Sequence, residues 1–177
     1  ASEVSDDLIA NYSFPKQFTF KPSDSAIDSA IDLINKSNNL MIWAGQGVLL
    51  SEATKELQQL AELLSVPVFT TMPGKSAFDE RHELSLGAGS TTTTLAAKEF
   101  LTSSDTILAL GSSLTRTPYS QQIPTGKTII QNVDNPDSVN KDESVDVALI
   151  GDTKETIIEL ISRLQEVYGE TRMDNNE

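Results

Sequence analysis

The stretch Leu40-Met-Ile-Trp-Ala-Gly45-Gln46-Gly47 is an apolar run that ends in a Gly-x-Gly turn. Such a run, with Asn39 before it and glycines after it, predicts a buried strand. Ser51 is placed to cap an amphipathic helix over residues 52–65, and residues 66–70 predict a second strand. Strand, glycine turn, helix and strand form a βαβ unit, in which the glycine turn is the usual phosphate position. The central question is therefore whether this chain binds a nucleotide.

The alternation of helix and strand continues on both sides of this unit. Amphipathic patterns predict helices over residues 24–36, 93–102 and from Asp152 or Thr153 onward, and apolar runs predict strands over 106–110, 127–132 and 145–150. Residues 71–90 are predicted to form a long loop. The helices after residue 92 are expected to turn Ala96, Ala97, Phe100, Ile157, Ile158, Ile161 and Leu164 inward.

Apolar strands separated by helices imply a parallel sheet with both faces covered. The sequence therefore predicts a doubly wound α/β domain, Rossmann-like, with a mainly parallel sheet of five to six strands and helices on both faces. Residues 23–168 form the predicted domain. Residues 1–22 are predicted to be a linker or N-terminal extension, and residues 169–177, which lack packing side chains, a disordered tail.

Composition excludes several classes of protein. The net charge of −13 argues against a nucleic-acid partner, because phosphates would meet a repelling surface. No apolar run approaches the roughly 20 residues that cross a membrane, so no membrane partner is expected. The chain has no cysteine, which rules out disulfides, thiolate metal sites and a cysteine nucleophile and fits a cytoplasmic location.

Candidate binding residues follow from the position of ligands in open parallel sheets, which bind outside the carboxyl ends of the strands. Glycines there let backbone N–H groups approach a ligand, and hydroxyls donate to it. The same small residues also end parallel strands in chains of this class that bind nothing, so both interpretations stay open. The positions concerned are Gly45, Gln46, Gly47, Thr71, Met72, Gly111, Ser112, Ser113, Asp134, Gly151, Asp152 and Thr153.

Motifs that carry defined chemistry are incomplete. Leu50 stands where a dinucleotide fingerprint needs its third glycine, and no acid follows the second strand. Gly74-Lys75-Ser76 and Gly126-Lys127-Thr128 each lack the earlier glycine of a P-loop. His82 is the only histidine, which excludes a multi-histidine metal site, and its charged neighbours indicate a solvated loop. We predict no catalytic residue and no metal ligand in this chain.

The order of segments resembles the central domain of thiamine-diphosphate-dependent enzymes, the group with acetohydroxyacid synthase, pyruvate oxidase and oxalyl-CoA decarboxylase. The resemblance covers about residues 23–168. The pieces that carry it are Ala44-Gly45-Gln46-Gly47-Val48, Glu56-Leu57-x-x-Leu60-Ala61, Pro67-Val68-Phe69-Thr70-Thr71-Met72-Pro73-Gly74-Lys75, Leu86-Gly87, Asp105-Thr-Ile-Leu-Ala-Leu-Gly111, Asn135-Pro136 and Gly151-Asp152-Thr153-Lys154.

This resemblance implies a chain without catalysis of its own. In the family, the two outer domains carry the chemistry: one supplies a glutamate that activates the thiamine ring, and the other binds the diphosphate and Mg²⁺ through a Gly-Asp-Gly motif that this chain lacks. The implied partners are flanking catalytic domains of the same polypeptide, in a homo-oligomeric lyase or transferase acting on a 2-oxo acid or an acyl-CoA analogue. Such an enzyme would be a decarboxylase or acetolactate-synthase-like.

The resemblance also implies a structural role for the domain, with FAD or an ADP-containing ligand bound in some members. The contacts would fall at Gly45–Gly47, Thr71–Met72, Gly111–Ser113 and Gly151–Thr153. The alternative interpretation is a free-standing dinucleotide-binding module, of electron-transfer-flavoprotein or sirtuin-like type. A sirtuin-like protein usually has a four-cysteine zinc site, for which the chain has no cysteines.

Overall fold

The computed structural model describes residues 18–174, with side chains through Tyr168, and these residues form six strands and five α-helices. Residues 1–17, which form most of the predicted linker, and residues 175–177 lie outside the described residues. The strands are β1 (Leu40–Ala44), β2 (Val68–Thr71), β3 (Ser85–Gly89), β4 (Thr106–Leu110), β5 (Thr128–Val133) and β6 (Val147–Ile150). The helices are α1 (Asp24–Lys36), α2 (Gln46–Leu50), α3 (Thr54–Leu64), α4 (Leu95–Ser103) and α5 (Thr153–Asp174), with a short 3₁₀ turn at Pro136–Ser138.

All six strands pair in parallel, in the order β3-β2-β1-β4-β5-β6. Strand β1 lies between β2 and β4. Strands β2 and β3 are added on one side of β1, and strands β4 to β6 are added on the other side, so the strand order reverses between β1 and β4. All five residues of β1 are buried, as expected for a strand covered on both faces. The predicted doubly wound parallel sheet is confirmed, and the reversal between β1 and β4 is the position at which such folds open a crevice.

The two faces of the sheet are covered unequally. Helices α1, α3 and α5 pack on one face against side chains such as Ile42, Leu108 and Ile130. The other face is covered by α4 and by the segment between β4 and β5, around Trp43 and Phe69, whose ring centroids lie 4.7 Å apart. Each fully buried side chain of this size contributes about 1.5–3 kcal/mol to folding.

The prediction of a loop over residues 71–90 is wrong at its end, where β3 forms the edge of the sheet. Its sequence, Ser85-Leu-Gly-Ala-Gly89, contains one large apolar residue, Leu86, which is buried. An edge strand made of small residues lacks the apolar run by which a strand is predicted. It is stabilised by parallel pairing with β2, which a sequence pattern does not display.

The prediction that Ser51 caps a helix over residues 52–65 is also wrong. Ser51 ends α2, and α3 begins after Ala53. The break between the two helices lies at Glu52, whose φ of +53° is left-handed and incompatible with a continuous helix. The Ser51 hydroxyl is instead used in a long-range contact with Asp152.

The predicted inward faces of two helices need correction. In α4, Ala97 and Leu101 are buried, whereas Ala96 and Phe100 are exposed. The rotation of this helix is set by Thr94, whose hydroxyl oxygen accepts from the Ala97 N–H and donates to the Leu86 carbonyl.

In α5, Ile157 and Leu164 are buried and Ile161 packs against the core, as predicted, but Ile158 is 44% exposed. Leu160 is buried in its place. Positions 157, 160, 161 and 164 follow the helical spacing of three and four, and Ile158 lies one step off that stripe.

The segment before α1 crosses the carboxyl end of β6. The Phe20 carbonyl accepts a hydrogen bond from the Asp152 N–H at 2.8 Å, and Pro22 is buried against Gly151. At the other end of the domain, α5 continues to Asp174 and so passes residue 168, where the sequence pattern placed the domain boundary. The domain limits themselves remain a prediction.

Candidate functional site

A cleft of about 650 Å³ lies at the carboxyl edge of the sheet, around the point where the strand order reverses. Of the predicted binding residues, Gly151 does not line it, because residues 20–22 cover that glycine. Asp134, at the end of β5, does line it. The structure brings together Gly45, Gln46, Gly47, Thr71, Met72, Gly111, Ser112, Ser113, Asp152 and Thr153 around the cleft. Their contact with a ligand remains a prediction.

The glycine turn after β1 is explained by close packing of two loops. A Cβ atom on Gly47 would lie 2.6 Å from the Cα of Gly111, and a Cβ on Gly45 would collide with the Gly111 carbonyl. Gly111 itself has a φ of +60°, which favours glycine. The Gly47 N–H donates to the Gly111 carbonyl at 2.9 Å. This amide is therefore engaged within the protein.

Asn132 holds three strand ends together beneath the cleft, and the sequence analysis missed it. Its side chain is fully buried in β5. Oδ1 accepts from the Gly111 N–H at 3.2 Å, and Nδ2 donates to the carbonyls of Leu149 and Gly151, each at 3.0 Å. Nδ2 also donates to Oγ1 of Thr156. The signal available in the sequence was the pair of amides Gln131 and Asn132 within a predicted buried strand, since a buried amide needs partners.

Asp152 is a structural carboxylate at the start of α5. One carboxylate oxygen accepts from the N–H groups of Lys154 and Glu155, which identifies Asp152 rather than Thr153 as the residue that caps this helix. The other oxygen accepts from the Ser51 hydroxyl at 2.8 Å. These contacts join α2 to α5 across the cleft wall.

One ion pair lies on the opposite wall of the cleft. Both carboxylate oxygens of Glu143 accept from the Arg116 guanidinium, each at 2.9 Å, and Asp142 accepts from the Arg116 backbone N–H. The hydrogen bonds that Arg116 donates to Glu143 raise the pKa of Arg116 above its usual value. Among the residues lining the cleft, Arg116 is the one cation, against the carboxylates of Asp134, Glu143 and Asp152. The cleft is therefore negative.

Apolar side chains form the mouth and floor of the cleft. Leu50, Met72 and Tyr119 line it and are 76%, 54% and 77% exposed, respectively. Trp43 and Ile123 line it from below and are almost fully buried. Three large exposed apolar side chains around one opening are more than the isolated surface residues of an ordinary protein require. The combination of apolar and polar walls is typical of a small-molecule pocket.

His82 lies outside the cleft. Nδ1 accepts from the Leu84 N–H at 3.2 Å, which leaves Nε2 to donate to Glu62 at 3.1 Å, and the ring meets Phe78 edge-on. Across the part of the chain that the structure describes, no three His, Asp or Glu side chains gather into a metal-binding group. Nor does that part contain a helix with the length and apolar character to span a bilayer.

Comparison with known proteins identifies relatives of this chain. Residues 27–160 match the family model "Thiamine pyrophosphate enzyme, central domain". A protein from Methanococcus aeolicus named "Probable acetolactate synthase large subunit" is 35% identical over 153 residues, covering 85% of this chain and 26% of the relative. An acetolactate synthase from Mycobacterium leprae is 34% identical over 163 residues, covering 86% and 25%.

A similar fold occurs in a solved structure of benzoylformate decarboxylase from Polynucleobacter necessarius. The superposition has a TM-score of 0.70 at 23% identity and covers 92% of this chain and 30% of that one. At this identity the likeness concerns the fold alone. The chain spans about a quarter of the length of the curated relatives named above.

Proposed function

The chain belongs to the family of thiamine pyrophosphate enzyme central domains, and from this premise we propose that it is the non-catalytic central domain of a larger thiamine-diphosphate-dependent enzyme. The relatives named as acetolactate synthases support a lyase or transferase that acts on a 2-oxo acid. In this proposal the domain holds flanking catalytic domains of the same polypeptide in register, within a cytoplasmic homo-oligomer.

The residues of this chain do not fit thiamine diphosphate and Mg²⁺. The chain contains no Gly-Asp-Gly motif, and the described side chains offer no group of metal ligands. The cleft is negative and its one cation is paired with Glu143. A diphosphate bound through magnesium needs carboxylates placed together around the metal. We therefore assign the cofactor to the flanking domains and derive no chemical step in this one.

A structural role is supported by the hydrogen bonds that charged groups of the cleft make within the protein. Asp152 caps α5 and accepts from Ser51, and Glu143 is held by Arg116. Proton transfer needs a titratable group that is free to reach a reacting atom. Asp134 is the cleft carboxylate for which the described residues provide no hydrogen bond.

Two preparations test this proposal. The polypeptide with its native flanking domains is incubated with pyruvate, thiamine diphosphate and Mg²⁺, and acetolactate is measured; the 177-residue chain alone is assayed beside it. We expect activity in the first and none in the second. Asp134→Asn in the longer protein is expected to keep kcat within about twofold, whereas loss of a general acid or base costs about 10²-fold or more. Such a loss would show that this domain is catalytic.

Binding of FAD or an ADP-containing ligand is a second candidate function. It is favoured by the cleft, whose volume of about 650 Å³ falls within the usual range for ligand pockets, and by the glycine-rich residues around it. An absorbance scan of the purified chain for retained flavin, with thermal-shift measurements in FAD and ADP, tests it. The free-standing electron-transfer-flavoprotein or sirtuin-like module also stays a prediction, and the native sequence on either side of the chain distinguishes it from a central domain.

A further inference from the structure

We propose that residues 18–22 form a releasable strap, which clamps the start of α5 when it is docked and opens as a unit while the rest of the domain stays folded. A pull on the polypeptide before residue 18 then loosens the junction of β6, α5 and α2 without unfolding the sheet. This inference goes beyond the structural role proposed for the domain and does not depend on it.

The strap holds one side of the peptide group between Gly151 and Asp152. From inside the domain, Nδ2 of Asn132 donates to the Gly151 carbonyl at 3.0 Å. From outside, the Phe20 carbonyl accepts from the Asp152 N–H at 2.8 Å. When the strap leaves, the Asp152 N–H loses this partner while the inner hydrogen bond remains. The docked strap therefore completes a clamp on this peptide group.

Asp152 connects the clamp to two helices. Its carboxylate accepts from the N–H groups of Lys154 and Glu155 at the start of α5. It also accepts from the hydroxyl of Ser51, at the end of α2. All of these hydrogen bonds are made by the residue whose own N–H the strap holds. A shift of the Asp152 backbone therefore weakens the contact between α5 and α2.

The strap is more exposed than the elements that it joins. Phe18 and Phe20 are 81% and 50% exposed. The ion pair between Lys21 and Glu159 lies at the surface, where such pairs add little stability. Pro22 is the buried residue of the segment. Segments with little buried apolar surface open at a lower free energy than the whole domain, so the strap is expected to open by itself.

The opening has a natural boundary at Ser23. The Ser23 hydroxyl accepts from the Ala26 N–H at 3.3 Å, and its carbonyl accepts from the N–H groups of Ala26 and Ile27. These hydrogen bonds cap α1 without an atom of the strap. Ile27 is also buried in the core beneath α1. Helix α1 can therefore stay in place when the strap leaves.

Gly151 offers a way to displace the strap with one substitution. A Cβ atom there would lie 2.7 Å from Cδ of Pro22 and 2.9 Å from the Phe20 carbonyl oxygen. Gly74 is a matched position, because a Cβ atom there would lie 2.7 Å from the Ala44 carbonyl oxygen at the end of β1. Neither glycine has a positive φ, so alanine adds a collision but no backbone strain. Release of the strap relieves the collision only at Gly151.

Amide hydrogen exchange of the 177-residue chain, followed by NMR, tests the proposal. The Ile42 N–H donates to the Pro67 carbonyl inside the domain and reports its unfolding, whereas the Asp152 N–H reports release of the strap. In the parent chain we expect Asp152 to exchange at least about tenfold faster than Ile42, after correction for the intrinsic rate of each residue. Equal protection overturns the proposal, because the strap would then open only when the domain unfolds.

The two glycine variants are expected to give different patterns. Gly74→Ala destabilises the domain whether the strap is docked or released, so the Ile42 rate rises about tenfold and the Asp152 rate stays unchanged. Gly151→Ala destabilises the docked state itself, so the Asp152 rate rises about tenfold or more, and the Ser51 rate rises with it. An Asp152 rate that rises with that of Ile42 in Gly74→Ala overturns the proposal. So does an unchanged Asp152 or Ser51 rate in Gly151→Ala.

Pro22→Gly provides a second test that adds no collision and applies even if Gly151→Ala does not fold. It removes the buried ring of the strap and gives the released chain more freedom, so the Asp152 rate is expected to rise about tenfold. An unchanged Asp152 rate contradicts the strap. None of these results bears on the central-domain proposal, which is tested by activity of the longer polypeptide.

Discussion

Nδ2 of Asn132 donates to Oγ1 of Thr156 at 3.0 Å, and this hydrogen bond joins strand β5 to helix α5 beneath the cleft. Both side chains are fully buried. The Thr156 hydroxyl donates in turn to the Asp152 carbonyl at 2.7 Å. The carboxyl edge of the sheet is therefore held by a chain of satisfied polar groups, which gives the cleft a preformed floor.

Replacing Asn132 by leucine is expected to lower the free energy of unfolding by about 3 kcal/mol, because the Gly111 N–H and the carbonyls it bonds lose a buried partner. Urea denaturation measures the change. Asn38→Ala is the control, since the Asn38 side chain is exposed and its backbone N–H contact to Asp105 is kept; its effect should stay within about 0.5 kcal/mol. Equal stabilities of the two variants would contradict the role of Asn132.

Gly47→Ala is expected to destabilise the domain by about 2 kcal/mol, because the new methyl group would lie 2.6 Å from the Cα of Gly111 and must push two backbones apart. Gly126→Ala is the comparison: nothing lies within 4 Å of its added Cβ, but its φ is +84°. That strain costs about 1 kcal/mol. Thermal unfolding followed by circular dichroism ranks the variants, and a smaller loss for Gly47→Ala than for Gly126→Ala would be evidence against close packing of the turns.

Asp105 makes stability depend on acid pH. A hydrogen bond from the Ser37 hydroxyl, with further ones from backbone N–H groups that include that of Asn38, lowers the pKa of Asp105 from 3.8 to about 2. Because the folded pKa is depressed, the carboxylate contributes stability that is present above pH 3.8 and lost as pH falls toward 2. We expect Asp105→Asn to remove about 1 kcal/mol of this dependence, allowing for solvent screening.

Unfolding curves of the parent chain and Asp105→Asn at several pH values between 2 and 6 measure this effect. The difference between the two proteins should shrink as the pH is lowered. A constant difference over the whole interval would mean that the ionised carboxylate of Asp105 adds nothing beyond what an amide supplies.

Glu143→Gln is expected to reduce the electrostatic repulsion between the cleft and phosphate, because it removes one carboxylate and weakens the interaction with Arg116. The ratio of ADP to adenosine dissociation constants should fall about threefold or more in low salt, consistent with loss of one nearby like charge. Glu80→Gln is the control, because Glu80 is exposed, lies outside the cleft and forms its ion pair with Lys75. An unchanged ratio in Glu143→Gln would count against electrostatic exclusion.

Much of the architecture was predictable from local patterns. The apolar runs at Leu40–Ala44 and Thr106–Leu110 are strands, and the glycines after them lie at one edge, as a parallel sheet requires. The order of motifs also pointed to the correct family. Strand β3 was not predicted because its small residues show no apolar periodicity. The break at Glu52 was not predicted because a glutamate with a positive φ cannot be distinguished from other glutamates in the sequence.

The sequence by itself determined the doubly wound fold and the edge on which the cleft lies, because strand and helix periods depend on neighbours along the chain. Only the tertiary structure decided which groups of that edge are engaged. Ser51 and Asp152 meet across 101 positions, and Asn132 and Thr156 across 24. Such partners are chosen by the packing of whole elements. Hence the tertiary structure showed that the glycine turn also forms a close contact between two loops, while the carboxylate of Asp134 has no partner among the described residues.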